Sequence, residues 1–282
     1  MTDDSASAFR GWVRPGPRPP GASSQPEVGP DETLDYISGY FRLFQLRDGH
    51  RFSTDDVLTA WYGTTWCASA STILDLGSGI GSVATIAAWR LPGARLVTVE
   101  AQAESVALAR KSARYNGIDE RCDVREGDFR EAGVLDRAEH FDLVLGSPPY
   151  FPIGSGVEGD HPQKVACRFE LRGDIGDYCR VAAGHLAPGG TFATVFPLPD
   201  GQHARMLAAA SAARLSIVRM RPVIMREGAL PLLGLFVLMR GQDLPEPVRS
   251  STWIEPPLLI RTASGAVHLE YSAIKLAFGF PP

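Results

Sequence analysis

The sequence predicts an α/β protein: a seven-stranded, mostly parallel sheet with helices on both faces and an antiparallel strand at its far end. Three observations carry this. Short apolar runs alternate with helix-period stretches along most of the chain after about residue 32. The run Phe141-Asp142-Leu143-Val144-Leu145 is almost wholly apolar, as a strand covered on both faces is. The β-rich stretches at about 214–225 and 232–239 are parted by Arg226-Glu227-Gly228, too short for a crossover helix, so they close as an antiparallel hairpin.

Taken in order, the first strand is Ile73-Leu74-Asp75-Leu76, followed by a Gly-rich turn and a helix over Ser82 to Arg90. Arg95 to Val99 is the second strand. The helix at 103–116 repeats Val106, Ala109 and Ala113 on one face, and Gly117 sits where a left-handed residue ends a helix. Cys122 to Arg125 is the third strand and Phe141 to Leu145 the fourth. Ile175, Tyr178, Cys179, Ala182 and Leu186 form the apolar face of a helix that stops before Pro188-Gly189-Gly190. Thr191 to Phe196 is the fifth strand, and Gln202 to Ala213 is helical. Leu258 to Arg261 and Val267 to Leu269 read as a small hairpin through Ser264-Gly265, ahead of a short C-terminal helix.

Of 282 residues, 44% are hydrophobic and 21% charged, which excludes wholesale disorder. The region 1–30 is different. Between Gly11 and Pro30, prolines and glycines fill half the positions, so a disordered tail is expected there, with one domain over 31–282. Arg10, Arg14 and Arg18 lie in that tail, more as solvated charges than as phosphate contacts. With 28 Lys and Arg against 32 Asp and Glu, the net charge of -4 argues against gripping nucleic acid by charge alone and leaves a local basic face open. No apolar run is long enough to span a membrane, and the N-terminus lacks a signal-peptide layout. Four cysteines form no CxxC pair and six histidines no HExxH, so a reduced, cytoplasmic protein without a metal site is expected.

The strongest local signal is Asp75-Leu76-Gly77-Ser78-Gly79-Ile80-Gly81, closing the first strand. Glycines allow the sharp turn and let a bulky ligand approach without meeting a Cβ. The Lys-Ser/Thr of a P-loop is missing, and the dinucleotide spacing fails because Ser82 stands where the last glycine belongs. Glu100, ending the second strand, is placed to accept both ribose hydroxyl protons of a nucleoside. Asp128 and Phe129, after the third strand, suit an adenine amino group and the ring edge. Taken singly, Asp75 also reads as an orienter of the turn, and Glu100 as a solvated strand end.

Strand four ends in Gly146-Ser147-Pro148-Pro149-Tyr150-Phe151. Two prolines hold the backbone rigid and remove two N–H groups, freeing carbonyls to face a ligand. The Ser147 hydroxyl and the Pro148 carbonyl then each accept one hydrogen of a planar –NH2, and Tyr150 stacks on the ring that carries it. Such an amine points its electron pair at an electrophilic carbon, and orientation does most of the work without a strong base. The bland alternative is a structural turn with a surface tyrosine.

With these residues the chain resembles class I S-adenosylmethionine-dependent methyltransferases, within them the small-domain (MTS) group that includes tRNA(Val) adenine-N6-methyltransferases. The resemblance covers about residues 38–280 and implies a Rossmann-like fold. It implies that Asp75, Gly77, Ser78, Gly79 and Gly81 hold the cofactor S-adenosylmethionine, with Glu100 on the ribose and Asp128 and Phe129 beside the adenine. Thr54 and Asp55, in Ser53-Thr54-Asp55-Asp56-Val57-Leu58, match the family's Thr-Asp-x-x-Leu segment over the cofactor pocket. Ser147, Pro148, Pro149 and Tyr150 match the Asn/Asp-Pro-Pro-Tyr amine-binding motif, with serine replacing the usual Asn or Asp; that serine is associated with cytosine N4 methylation in related enzymes. The implied substrate is an exocyclic nucleobase amine, adenine N6 in tRNA or other structured RNA. A protein glutamine, a small-molecule amine, or a silent cofactor-fold binding module are the alternatives. Gly154 to Arg172, with His161, is a candidate lid. Arg214, Arg219, Arg221 and Arg226 with Lys164 and Arg168 form a candidate RNA-facing patch.

Overall fold

A computed structural model describes residues 8–9, 12–21, 25–151, 163, 165 and 169–281. Two short strands, β1 (Ala8–Phe9) and β2 (Trp12–Val13), pair antiparallel, and β3 (Glu32–Ser38) and β4 (Phe41–Leu46) form a hairpin. The main unit follows. It runs α1 (Thr54–Trp66), β5 (Thr72–Leu76), α2 (Ser82–Arg90), β6 (Arg95–Glu100), α3 (Ala103–Asn116), β7 (Cys122–Glu126) and β8 (Phe141–Gly146). It continues through α4 (Ile175–His185), β9 (Leu186–Pro197), α5 (Gln202–Ala212), β10 (Leu215–Ile224) and β11 (Leu233–Arg240), then β12 (Trp253–Ile254), β13 (Leu258–Leu259) and α6 (Leu269–Ala277).

The main sheet has the order β12-β10-β11-β9-β8-β5-β6-β7, with β13 also on β10. The seven principal strands are the predicted ones. Strand β11 alone runs antiparallel to both of its neighbours, as the short 226–228 connection requires. The chain enters at β5, builds outward through β6 and β7, then returns to β8 on the other side of β5. That reversal opens a crevice beyond the carboxyl ends of β5 and β8, where ligands bind in open α/β sheets.

Period-two alternation divides the sheet between two apolar cores. Leu143 and Leu145 face one core with α1, α2 and α3, while Val144 faces the other with α4 and α5. Each fully buried Leu or Phe contributes roughly 1.5–3 kcal/mol by transfer from water. This is why β8 has no polar face.

The structure departs from the sequence expectation ahead of β5 and near the C-terminus. The β3–β4 hairpin and α1, which cover α2 and α3, lie ahead of the first strand the sequence signalled. Helix α1 opens on a capping box in which Ser53 accepts from the backbone while Asp56 Oδ2 accepts from Ser53 N at 2.9 Å. The expected C-terminal hairpin forms only as the Arg261–Val267 bridge. Leu258–Leu259 instead pairs parallel with Val223–Ile224, because that edge of β10 offers free backbone partners and lets Leu258 become wholly buried. Leu269 starts α6, which His268 caps.

The Pro/Gly-rich stretch has defined partners where it is described. Arg14 donates to the Gly39 carbonyl at 2.8 Å and lies 3.9 Å from the Tyr36 ring centroid, and Arg18 lies 4.7 Å from that of Tyr40. Gly16 presses on the Trp89 indole so closely that an added Cβ would sit 2.3 Å from Nε1.

Candidate functional site

A cavity of about 390 Å³ occupies the crevice. Asp55, Asp75, Gly77, Ser78, Gly79, Glu100, Asp128, Phe129 and Ser147 through Tyr150 all line it. Residues from four strand ends and from α1 therefore converge, although Asp55 and Tyr150 are 95 positions apart. Two expected residues lie elsewhere. Gly81 (φ 81°) is the N-cap of α2, where an added Cβ would approach Ala109 at 3.1 Å, so it serves helix packing. Thr54, at the start of α1, is not among the residues lining the cavity.

The loop after β5 is constrained from both sides. At Gly77 (φ 60°) a Cβ would meet the Tyr178 hydroxyl at 2.1 Å, so only glycine fits behind the loop. At Gly79 (φ 55°) no atom lies within 4 Å of that position, leaving open room in front. Ser78 Oγ is buried without a hydrogen-bond partner among the described residues. Glu100 ties the loop to α3: Oε2 accepts from Gly79 N at 2.9 Å and Oε1 from Gln102 N at 2.7 Å. Each of its oxygens retains a lone pair for a ligand.

Asp75 is buried and accepts from Ala84 N at 3.1 Å, so it orients the start of α2. Burial, and then the neighbouring Asp56, pushes its carboxyl well above the usual range. Asp56 is raised to about 6 by burial, against the pull of its bonds from Ser53 N–H and the Ser82 hydroxyl. Asp128 is held low by its paired neighbour Arg130, which occupies both carboxylate oxygens. Phe129 is buried edge-on to Tyr178 at 4.8 Å between centroids.

Beyond β8, Pro148 is buried and its carbonyl accepts no hydrogen bond from any described residue. Tyr150 Oη donates to Asp55 Oδ2 at 2.7 Å. The ring stands edge-on to Phe196 at 6.0 Å, and Gln202 Nε2 donates to the Tyr150 carbonyl at 3.1 Å, fixing the turn. Burial, and then Asp55, pushes the phenol well above its ordinary pKa. Ser147, Pro148 and Tyr150, the last anchored through its hydroxyl, line the cavity together with the Gly77–Gly79 loop and Glu100.

Sequence reasoning missed Asp56, Arg172, His50 and Tyr178 as lining residues. Tyr178 carried only a core signal, since its ring packs inside α4 while its hydroxyl reaches Gly77. In the expected basic patch, Arg219 and Arg221 share one face of β10. Arg219 lies 3.4 Å from the Trp66 ring centroid and 3.8 Å from Glu255, and Arg221 is 3.3 Å from Glu270. Arg214 and Arg226 stand at opposite ends of β10. Lys164, Arg168, His161 and most of the candidate lid lie outside the described residues.

Asp56 yields a stability prediction. Its folded pKa of about 6 exceeds the ordinary 3.8, so the folded state holds the proton more tightly. The resulting stabilisation is complete below the unfolded value and is lost as pH rises through about 6. Asp56→Asn keeps an acceptor for Ser53 N and removes the titration. It is expected to be more stable than the wild type by up to about 3 kcal/mol near neutral pH, the difference closing near pH 4. Urea unfolding across that range checks this; a variant no more stable at neutral pH rejects the buried charge.

Residues 64–208 match the family model described as methyltransferase small domain. The tRNA1(Val) (adenine(37)-N6)-methyltransferase of Tolumonas auensis is 30% identical over 202 residues, 71% of this chain and 81% of that protein. The release factor glutamine methyltransferase of Chlorobaculum tepidum is 38% identical over 86 residues, 30% of this chain; the match spans only 29% of that relative. Among solved structures, a predicted O-methyltransferase from Agrobacterium tumefaciens superposes with a TM-score of 0.60 at 21% identity, covering 81% of this chain and 98% of that one. This last likeness is one of fold.

Proposed function

The chain belongs to the methyltransferase small domain family and is an S-adenosylmethionine-dependent methyltransferase, and on that premise we propose that it methylates an exocyclic nucleobase amine, adenine N6 in tRNA or another structured RNA. One observation carries the reading. The Ser147-Pro148-Pro149-Tyr150 turn lines the same cavity as the Gly77–Gly79 loop and Glu100.

The cavity suits a nucleoside with a cationic tail. Buried Ser78 Oγ needs a partner, Gly79 leaves open room, and Glu100 supplies a carboxylate beside the glycine loop. When bound, S-adenosylmethionine supplies an electrophilic methyl group on a sulfonium. In this reading Glu100 accepts from the ribose hydroxyls, and Asp128 and Phe129 line the adenine, with Arg130 holding the Asp128 carboxylate in place. Asp75 acts by setting the start of α2 rather than by touching the ligand. Ser147 and the Pro148 carbonyl accept the two amine hydrogens and Tyr150 packs on the base. The amine electron pair is thereby aimed across the cavity.

The adenine and tRNA assignment is supported by the relative from Tolumonas auensis, matched over most of its length. Arg219, over exposed Trp66 and Trp253, and Arg221, over Trp61, supply cations and aromatic surface suited to RNA. In this proposal residues 31–282 act as one domain. The test is transfer of a tritiated methyl group to RNA from cells lacking the enzyme, followed by nucleoside analysis. Label in N6-methyladenosine is expected. Label in N4-methylcytidine moves the assignment to cytosine, and label confined to protein overturns it in favour of a glutamine substrate.

A further inference from the structure

Past Tyr150 the cavity carries two side chains that neither the amine contacts nor the cofactor contacts use. Phe151 lines the cavity yet is 44% exposed, a large apolar surface left to solvent at its mouth. Arg172 is the only lysine or arginine among the described residues that line the same cavity. Its guanidinium makes no hydrogen bond and no ion pair with any described residue.

Both are seated from behind. Glu170 N donates to the Phe151 carbonyl at 2.9 Å, and the rings of Phe151 and buried Phe169 lie 6.0 Å apart between centroids. Glu170 is itself ion-paired with Arg205 of α5 at 2.6 Å. Arg172 closes the short 3-10 turn Glu170–Arg172, and at the next residue, Gly173, a Cβ would lie 3.1 Å from Phe129 Cζ. That turn therefore joins the Phe151 side of the cavity to the Phe129 side. Acidic neighbours on the lining are already engaged: Asp128 with Arg130, Glu100 with Gly79 N and Gln102 N, Asp55 with Tyr150. Arg172 is left for a ligand. An aromatic ring and an unpaired guanidinium at one cavity mouth suit one nucleotide of a strand, since a base stacks on the ring and a phosphate pairs with the guanidinium.

We propose that Phe151 and Arg172 hold the nucleotide adjacent to the target base, the ring stacking on its base and the guanidinium pairing with its phosphate, so that the substrate is a strand and not a free nucleoside. The proposal rests on the amine-methylation reading above and deepens it. Contacts to flanking nucleotides set sequence context in enzymes that act on an extruded base.

The experiment measures tritiated-methyl transfer by the full chain to RNA from cells lacking the enzyme, across RNA and salt concentrations. Arg172→Ala is expected to raise the half-saturating RNA concentration about tenfold and to flatten its log–log salt dependence by about 0.7–0.9, the loss of one phosphate contact. Arg172→Lys keeps the charge and is expected to keep the wild-type slope. Phe151→Ala is expected to raise the half-saturating concentration about tenfold at an unchanged slope. Phe151→Trp stays within about threefold of wild type and Phe151→Leu does not, because a base stacks on a ring and not on an alkyl chain. Saturating rate and calorimetric S-adenosylmethionine affinity are expected within about threefold of wild type throughout. An unchanged half-saturating concentration in either alanine variant, a wild-type salt slope in Arg172→Ala, or full activity in Phe151→Leu overturns the proposal and leaves amine methylation in place. A collapse of cofactor affinity in Arg172→Ala assigns that cation to the cofactor and overturns it likewise. A wild-type protein that labels no RNA overturns the functional reading and the proposal together.

Discussion

Replacing Tyr150 with alanine is expected to cut methyl transfer at saturation by about 10³-fold while leaving S-adenosylmethionine affinity within about threefold. The ring belongs to the substrate wall, and losing a stacked base contact removes about 1–3 kcal/mol. The substitution also strips the turn of its hydroxyl bond to Asp55 and of its contact with Phe196. A displacement of about 1 Å in a positioned reactant costs on the order of 10²-fold, so the two effects together approach three decades. Single-turnover rates with tritiated cofactor, set beside calorimetric cofactor binding, separate the two walls. Rates near wild type would remove Tyr150 from the site, and a parallel collapse of cofactor affinity would place it on the wrong wall.

Glu100→Ala is expected to weaken S-adenosylmethionine binding by about 10²-fold or more. Two charge-assisted hydrogen bonds to hydroxyls are lost, each worth roughly 1.5–3 kcal/mol. The loop also loses its strut, since Gly79 N and Gln102 N both bond this carboxylate. Glu100→Gln, which keeps one acceptor oxygen and the side-chain volume, should fall between the two. Calorimetry on the purified protein reads both variants, and an affinity equal to wild type in the alanine variant ends the ribose role.

From β5 to β11 the architecture could be read from the sequence because local signals and global packing agree there. Helix α3 begins and ends where its periodicity and Gly117 place it, and the brevity of 226–228 leaves β11 only an antiparallel course. The elements that escaped have weaker local reasons to exist. The hairpin at 32–46 gains its order from α3, where Phe44 N donates to Ser112 Oγ and Arg42 N to Asn116 Oδ1, contacts far apart in sequence. Leu258–Leu259 is too short to declare its partner, and burial against β10 decides it. In the site, motif residues were recognisable by type and by strand end. Their partners were not. No spacing rule connects Asp55 to Tyr150, or Tyr178 to Gly77; only the folded sheet does.

Residues 12–21 make their contacts without forming a long regular element. Arg14, Gly16 and Pro20 touch the hairpin turn, α2 and the end of α3, in a stretch without the hydrogen-bond ladder of a regular element. Four prolines at positions 15, 17, 19 and 20 have already restricted the denatured chain, so docking the segment surrenders little conformational freedom. A handful of contacts is then enough to keep it seated. Loosening those prolines to alanine would widen the unfolded ensemble and unseat the strap without removing a single one of its arginine or glycine contacts.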